Sequence, residues 1–221
     1  MENPFPPGFF DRSDPTPDPL FYRDARLVTH IDDGAIAAVG ALYDELGING
    51  VVLDLMSSWV SHFRQPPSEL TVLGMSAEEL DANAQARHRV VHDLNEDPRL
   101  PFGDRGFDAA VCCVSVDYLV HPVAVFKEVA RVLRPGGVFV CTFSNRVFPT
   151  KAIRGWLAAS ESSRRDIVAA YFRLSGGWTE PVSQRRAGGG LFGGDPLDAV
   201  WAHTRPDGFA TSGESTATSP G

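Results

Sequence analysis

The chain has 221 residues, of which 43% are hydrophobic and 22% charged, and its formal net charge is −8. These values are ordinary for a globular protein with one sizeable core. No run of Lys and Arg indicates a nucleic-acid surface, so no nucleic-acid partner is expected. No stretch approaches 18 apolar residues, so no membrane-spanning segment is predicted either.

Two features favour a reducing, cytoplasmic location. The N-terminal residues have neither the basic region nor the apolar region of a secretory signal. The three cysteines, Cys112, Cys113 and Cys141, lie in apolar, strand-like runs. Such positions predict buried reduced thiols rather than a disulfide framework.

The ends of the chain differ from its middle. Residues 1–19 hold six prolines and are expected to be extended along the surface. Residues 20–204 are predicted to form a single domain. Residues 205–221 lack apolar periodicity and are expected to be a disordered tail.

Helices and strands alternate through the middle of the chain. In chain order, the patterns predict a helix over 33–46, a strand over 51–55, a strand over 71–73, a helix over 77–84, strands over 89–92 and 107–114, a helix over 122–133, a strand over 137–143, helices within 149–173, and strands over 178–183 and 197–203. This alternation predicts an α/β fold: a Rossmann-like, doubly wound sheet with helices on both faces. The last two strands lack a helix between them, which indicates an antiparallel edge.

The run Val51–Leu55 is typical of a buried parallel strand, and Asp54 stands near its carboxyl end. Ligands of such sheets bind beyond the carboxyl ends of the strands. A nucleotide site would normally follow with glycines and then a helix. The residues that follow here contain no glycine, although a helix holding His62 in its first turn is still expected.

A second group of motifs lies between residues 93 and 143. Asp93 is followed by Leu-Pro-Phe at 100–102, Phe-Asp at 107–108 and Leu-Arg-Pro-Gly-Gly at 133–137. This order resembles the class I S-adenosylmethionine (SAM)-dependent methyltransferases, in particular the small-molecule group related to ubiquinone-biosynthesis methyltransferases. The resemblance covers roughly residues 50–203 and implies a seven-stranded sheet with one antiparallel strand.

The resemblance implies a set of cofactor contacts. Asp54 matches the acid that lies under the amino-acid part of the cofactor. Asp93 matches the acid that accepts the adenine amino group, with the N–H of Leu94 beside it. The full set of implied cofactor-binding positions is Asp54, Met56, Ser57, Ser58, Trp59, Gly74, Met75, Asp93, Leu94 and Val114.

Two signatures of the family are altered. Met56, Ser58 and Val60 occupy the three glycine positions of the usual loop, and Gly74 stands where an acid usually binds the ribose hydroxyls. The Met56 side chain is expected to push the ligand away. Ser57 and Ser58 are expected to offer hydroxyls and N–H groups instead, and Gly74 is expected to leave room on the opposite wall.

Three residues are candidates for chemistry on the acceptor. Asp117 is either a general base or a helix cap ahead of Pro122. Tyr118 either contacts the substrate or belongs to the core, and the resemblance places both where relatives carry histidines that face the methyl group. His30 is either at the mouth of the site or part of a capping turn. No metal site is predicted, because the spacings typical of metal ligands are missing.

The sequence therefore predicts a SAM-dependent methyltransferase that acts on a small molecule. Two alternatives remain: a methyltransferase fold with other chemistry, with or without SAM, and a non-catalytic binding protein. The sequence does not predict an oligomeric state.

Overall fold

The computed structural model describes residues 4–188 and 194–206. Its helices are α1 (Asp18–Phe21), α2 (Asp33–Glu45), α3 (Ala77–Ala82), α4 (Pro122–Val132), α5 (Arg154–Ala158) and α6 (Glu161–Ser175). Its strands are β1 (Val51–Leu55), β2 (Glu69–Gly74), β3 (His88–Val91), β4 (Phe107–Cys113), β5 (Leu133–Phe143), β6 (Val182–Ala187) and β7 (Leu197–His203). None of the helices in these ranges has the length and hydropathy needed to cross a bilayer.

The seven strands form one sheet in the order β3-β2-β1-β4-β5-β7-β6. Strands β1 to β5 are parallel, whereas β7 runs antiparallel to both β5 and β6. The predicted seven-stranded α/β sheet with an antiparallel edge is confirmed.

Alternate residues of the strands pack against helices on opposite faces of the sheet. Leu53 joins a cluster that contains Phe126 of α4 and Phe172 of α6. Its neighbour Val52 joins a second cluster that contains Tyr43 of α2. Both faces of β1 are therefore buried, which explains its continuous apolar sequence.

Five strands differ from the predicted ranges in at least one bound, and the largest differences are at the starts of β5 and β6. Strand β5 begins at Leu133 rather than at 137, because Leu133 pairs with Phe107 on β4. The predicted strand over 178–183 is wrong at its start: Trp178 forms only an isolated bridge with Thr204, and β6 begins at Val182. The indole of Trp178 packs in the core against Phe172, and this contact keeps residue 178 out of the edge strand.

The helix expected after β1 is missing, and residues 56–68 form a loop. Pro66 and Pro67 prevent a helix from continuing toward β2. Side-chain amides provide donors for the loop carbonyls: Asn83 donates to Ser58 O at 3.0 Å and Gln85 donates to Phe63 O at 2.9 Å. His62 therefore lies on a loop and not in a first helical turn.

The N-terminal segment is attached to the domain by a buried cation. Lys151 is fully buried, and its ammonium nitrogen lies 3.1 Å from Asp14 Oδ2 and 3.2 Å from Asp18 Oδ1. The same nitrogen donates to the carbonyl of Thr16 at 2.7 Å. The ring of Phe9 packs so closely against Gly155 that a Cβ there would overlap it. The predicted tail lies outside the described residues beyond position 206.

Candidate functional site

A cavity of about 640 Å³ opens at the carboxyl ends of β1, β2, β3 and β4, on the edge where the sequence placed a ligand. The predicted cofactor-binding positions all line it: Asp54, Met56, Ser57, Ser58, Trp59, Gly74, Met75, Asp93, Leu94 and Val114. We use "N-terminal segment" for the described residues that precede α2. Its residues, among them Tyr22, Arg26 and His30, form the wall opposite the strand ends.

Asp54 is buried at the floor of the cavity. Its Oδ2 accepts hydrogen bonds from Ser61 Oγ at 2.5 Å and Ser57 Oγ at 2.8 Å. Burial raises the pKa of Asp54 to about 6, and the two hydroxyls oppose that shift. Oδ1 makes no hydrogen bond with the described residues, so it remains able to accept one from a ligand.

Met56 adopts the backbone conformation of a glycine. Its φ is +53°, in the left-handed region that non-glycine residues enter at a cost. Its side chain packs against the core cluster on the α4 and α6 face. The backbone therefore follows a glycine-type path, and the expectation that the side chain pushes a ligand away is not supported by this packing.

Gly74 lies against the backbone of that loop. A Cβ at position 74 would overlap the carbonyl oxygen of Ser57. The Ser57 N–H donates to Leu73 O at 2.8 Å, which fixes the loop against the end of β2. The expectation of free room at Gly74 is wrong, because the loop carbonyl fills that space.

The serine hydroxyls of the loop already have partners. Ser57 Oγ donates to Asp54, and Ser58 Oγ donates to Glu79 Oε2 at 2.6 Å. The indole N–H of Trp59 donates to the carbonyl of Val28 at 3.1 Å and joins the loop to the N-terminal segment. The two hydroxyls therefore hold the wall in shape, and neither has a hydrogen left to donate to a ligand.

Asp93 and Leu94 offer complementary groups side by side. Asp93 Oδ1 accepts from the N–H of Asn95 at 2.8 Å, and its Oδ2 makes no hydrogen bond with the described residues. The N–H of Leu94 has no acceptor there either. A free acceptor next to a free N–H suits a ring edge that carries an amino group beside a ring nitrogen, as adenine does.

Val114 is a second strained position at the cavity. It has a φ of +46°, which is unusual for a β-branched residue, and its N–H donates to Thr142 O at 2.8 Å. Such strain costs about 1–3 kcal/mol and persists only where surrounding contacts hold it. Met56 and Val114 therefore mark the cavity as the place where backbone strain is concentrated.

Burial affects two of the histidines that line the cavity, His30 and His62. Burial lowers the pKa of His30 and of His62 below the ordinary value. Neither ring forms a hydrogen bond with the described residues, and His30 lies edge-on to Phe148 with centroids 5.2 Å apart. Either imidazole can accept a proton from a ligand in this cavity.

Tyr118 lines the cavity, whereas Asp117 is absent from its lining. The Tyr118 hydroxyl accepts from the N–H of Phe148 at 2.9 Å, and burial holds its pKa well above the usual value. Asp117 is buried with Oδ2 unpartnered, and burial raises its pKa to about 7. The 3-10 turn Val116–Tyr118 directs consecutive side chains to different sides, so only Tyr118 reaches the cavity.

Two residues of the wall were not predicted from the sequence. Ser76 caps α3 by accepting from the N–H of Glu79, and the Glu79 carboxylate accepts from Ser58 Oγ and from the N–H of Arg26 at 2.7 Å. No sequence signal placed Arg26 at the cavity. In the described ranges, no cluster of three or more His, Cys, Asp or Glu side chains is arranged to hold a metal ion.

Comparison with known proteins agrees with this geometry. Residues 50–141 match a family described as "Methyltransferase domain". This similarity to a methyltransferase domain covers less than half of the chain. The match begins at β1 and ends within β5, so it covers the strands that build the floor of the cavity.

Curated relatives match over a short stretch. A demethylmenaquinone methyltransferase from Mycobacterium sp. (strain KMS) is 48% identical over 56 residues, which is 24% of each chain. That of Mycobacterium tuberculosis (strain ATCC 25618 / H37Rv) is 39% identical over 71 residues, 32% of this chain and 29% of the relative. The chain thus spans about a quarter to a third of the length of these relatives.

Solved structures share the fold at low identity. The cyclase SpnF has a TM-score of 0.58 at 13% identity, covering 82% of this chain and 89% of that one. The Burkholderia thailandensis 1,6-didemethyltoxoflavin-N1-methyltransferase, with bound S-adenosylhomocysteine (SAH), has a TM-score of 0.55 at 19% identity, covering 78% and 80%. These neighbours show that the fold of this chain is shared with the two enzymes.

The residues of the cavity fit SAM. The backbone at Met56 has the φ of a glycine, Asp54 Oδ1 and Asp93 Oδ2 are free acceptors, and the N–H of Leu94 is a free donor. Glu79 is a further carboxylate in the lining of the cavity.

The left-handed backbone at Met56 leads to a first prediction. Met56→Gly removes the steric penalty of a Cβ at φ +53° from the free and the bound protein alike, so its SAH affinity should not fall below that of the wild type. Calorimetric titration of SAH measures the change.

Arg105→Gly is the matched control, because Arg105 has a similar φ of +56° in a turn away from the cavity. This control should stabilise the fold without altering SAH affinity. Weaker SAH binding by Met56→Gly would contradict the interpretation that Met56 occupies a glycine position.

Asp117 leads to a second prediction, on stability against pH. Its pKa rises from 3.8 unfolded to about 7 folded, so between these values the folded protein holds a proton that the unfolded chain has released. Its contribution to stability is therefore lost as pH rises through this window. Charged or titratable groups around it are Arg164, Tyr118 and Tyr171.

The free energy of unfolding of Asp117→Asn, compared with that of the wild type, should therefore increase as pH rises from 4 to 8, by up to about 1 kcal/mol per pH unit. Asp14→Asn is a control of opposite sign, because hydrogen bonds from Thr16 and Lys151 lower the pKa of Asp14 to about 2. The difference by which Asp14→Asn is less stable than the wild type should become smaller as pH falls below 4. Denaturant titrations across pH measure both, and a pH-independent difference for Asp117→Asn would contradict a buried, unpaired carboxyl.

Proposed function

We propose that this protein is a SAM-dependent methyltransferase that acts on a small-molecule acceptor. The observation that supports this most strongly is the convergence of Asp54, Asp93 and the Leu94 N–H on one cavity at the ends of the parallel strands. These groups are the free acceptors and the free donor that the amino-acid part and the adenine of SAM require. The methyltransferase domain match supports the same reading.

Each residue has a distinct role in binding. Asp93 Oδ2 accepts from the adenine amino group while the Leu94 N–H donates to the neighbouring ring nitrogen. Glu79 is the carboxylate available to the ribose hydroxyls, because the Ser57 carbonyl excludes an acid at position 74. Asp54 Oδ1 accepts from the amino group of the methionine part.

Methyl transfer then depends more on how the acceptor and the cofactor are positioned than on the strength of an acid or a base. When bound, SAM supplies a methyl group on a positively charged sulfur. His30 is neutral, faces the cavity and is free of hydrogen bonds with the described residues, so it can take a proton from an acceptor hydroxyl or amine. Tyr118 stays protonated and holds Phe148 through the backbone, which positions the aromatic wall.

The acceptor is a small molecule in this proposal. The cavity is of a size suited to a cofactor and a compact acceptor, and part of its wall is aromatic. Demethylmenaquinone is the acceptor named for the curated relatives, and a quinone-like ring is consistent with Phe148 and Tyr118 on the wall.

A second candidate is other chemistry in the same fold. The cyclase SpnF shares the fold, and fold alone does not fix the reaction. Binding of SAM together with methyl transfer to an acceptor separates the two enzymes, because a cyclase would leave SAM unconsumed. A non-catalytic protein would bind SAM or its analogues without turnover of any substrate.

Removal of the adenine acceptor tests the proposal. Asp93→Asn keeps an Oδ1 acceptor for the Asn95 N–H but replaces the free oxygen with an amide, so SAH affinity should fall roughly tenfold to 100-fold. Calorimetric titration of SAM and SAH measures the loss.

Asp97→Asn is the matched control. Asp97 lies in the same loop and accepts from Arg99 N–H in a similar turn, but it does not line the cavity. Its SAH affinity should equal that of the wild type. Absence of heat with either ligand at millimolar concentration, or an unchanged affinity in Asp93→Asn, would overturn the proposal.

A further inference from the structure

The wall opposite the strand ends carries a cation among aromatic rings. Arg26 lies between α1 and α2, and its guanidinium carbon is 4.7 Å from the ring centroid of Phe21, 5.4 Å from that of Phe148 and 5.8 Å from that of Tyr22. Arg26, Tyr22 and Phe148 all line the cavity. An arginine held over aromatic faces is favourable, but this arrangement leaves its hydrogen bonds to be made elsewhere.

The hydrogen bonds of Arg26 are incomplete. Nη2 donates to the carbonyl of Phe21 at 2.9 Å, and the backbone N–H donates to Glu79. Nη1 is buried and has no acceptor, and no carboxylate in the described residues lies within ion-pair distance of this guanidinium. A buried donor atom without an acceptor is costly, so Nη1 favours a ligand that supplies an acceptor.

Arg26 differs in this respect from the other arginine of the lining. Arg146 pairs with Asp195 at 2.8 Å. Asp18, on the same wall as Arg26, pairs with Arg12 at 2.7 Å and with Lys151 at 3.2 Å. Among the described residues, Asp54, Glu79 and Asp93 of the strand-end side have no cation partner either, so Arg26 is the arginine of the lining that remains open to an acidic group.

The chain around Arg26 allows the guanidinium to turn toward a ligand. Residues 22–32 contain neither helix nor strand, so a shift of this segment breaks no backbone ladder. Leu27 and Val28 on the same segment are exposed. The aromatic side chains that surround Arg26 offer flat faces against which a ring can stack.

We propose that the acceptor of this site is an aromatic anion, with its acidic group on the Arg26 guanidinium and its ring against Phe148 and Tyr22. This inference rests on the proposed function and adds the class of acceptor: a planar ring with a carboxylate or an equivalent acidic group. A planar guanidinium fork binds a carboxylate through two parallel hydrogen bonds, which gives both affinity and orientation. The neutral His30 at the same wall then faces the ring rather than the acid.

The test compares two probes that differ in charge alone. The anion 2-naphthoate and the neutral 2-naphthamide have nearly the same shape, and each is titrated into the full chain by calorimetry and by ligand-observed NMR. The wild type should bind 2-naphthoate at least roughly tenfold more tightly than 2-naphthamide. Equal binding of the two probes would overturn the inference.

Variants assign the preference to Arg26. Arg26→Gln should abolish the preference for the anion, and Arg26→Lys should restore part of it, because lysine keeps the charge but loses the fork. Arg23→Gln is the matched control, since Arg23 lies three residues away on the same segment and its side chain is 75% exposed. A preference that survives in Arg26→Gln, or that disappears in Arg23→Gln, would contradict the assignment.

Parallel titration of SAH keeps this inference separable from the proposed function. An Arg26-dependent preference for 2-naphthoate with no SAH binding would support the anion site and refute the SAM-dependent function. SAH binding with no preference between the probes would support the function and refute the anion site. If Arg26→Gln does not fold, as judged by circular dichroism, the intermediate preference expected for Arg26→Lys decides the assignment.

Discussion

The contact between the Ser57 carbonyl and Gly74 is the constraint on which the site depends. It places the loop after β1 flush against the end of β2, and it requires both a residue without a Cβ at 74 and a left-handed turn at Met56. The Ser57 N–H closes the same contact from the other side through Leu73. The loop therefore reaches a glycine-type path without glycines, because packing outweighs the local steric cost.

The same packing determines which polar groups of the cavity are free to bind a ligand. The loop serines donate to Asp54 and Glu79, so they stiffen the wall. The acceptors left free are Asp54 Oδ1 and Asp93 Oδ2, and the free cation is Arg26 on the N-terminal segment. The buried Lys151 attaches that segment to the domain, and the hydrogen bonds from Trp59 to Val28 and from Arg26 to Glu79 join the two walls of the cavity.

The scaffold was predictable because it follows hydrophobic periodicity. The strand Val51–Leu55 is buried on both faces, and its continuous apolar sequence predicts this. Asp93 belongs to a group of motifs with specific spacing. Pro66 and Pro67 indicate that no long helix follows β1, whereas the sequence analysis expected a helix after the glycine-free loop. The place of Asp117 depended on the side of a short 3-10 turn on which each residue falls, which the local sequence pattern did not indicate.

Other features were beyond the sequence because they join distant parts of the chain. Glu79 satisfies the local capping pattern with Ser76, yet its carboxylate bonds across 53 residues to the Arg26 N–H. Arg26 is placed at the cavity by the packing of the N-terminal segment against the domain. No hydrophobic periodicity in the local sequence indicates that packing. These contacts arise from tertiary packing, which overrides local preference.

A crystal structure of the protein with SAH bound tests the central claim most directly. The account predicts the adenine amino group at about 3 Å from Asp93 Oδ2, with the Ser57 carbonyl still against Gly74 and Met56 still left-handed. A ligand bound elsewhere, or a loop over 56–60 that rebuilds into a helix to admit it, would contradict the claim that this glycine-free loop is already shaped for the cofactor.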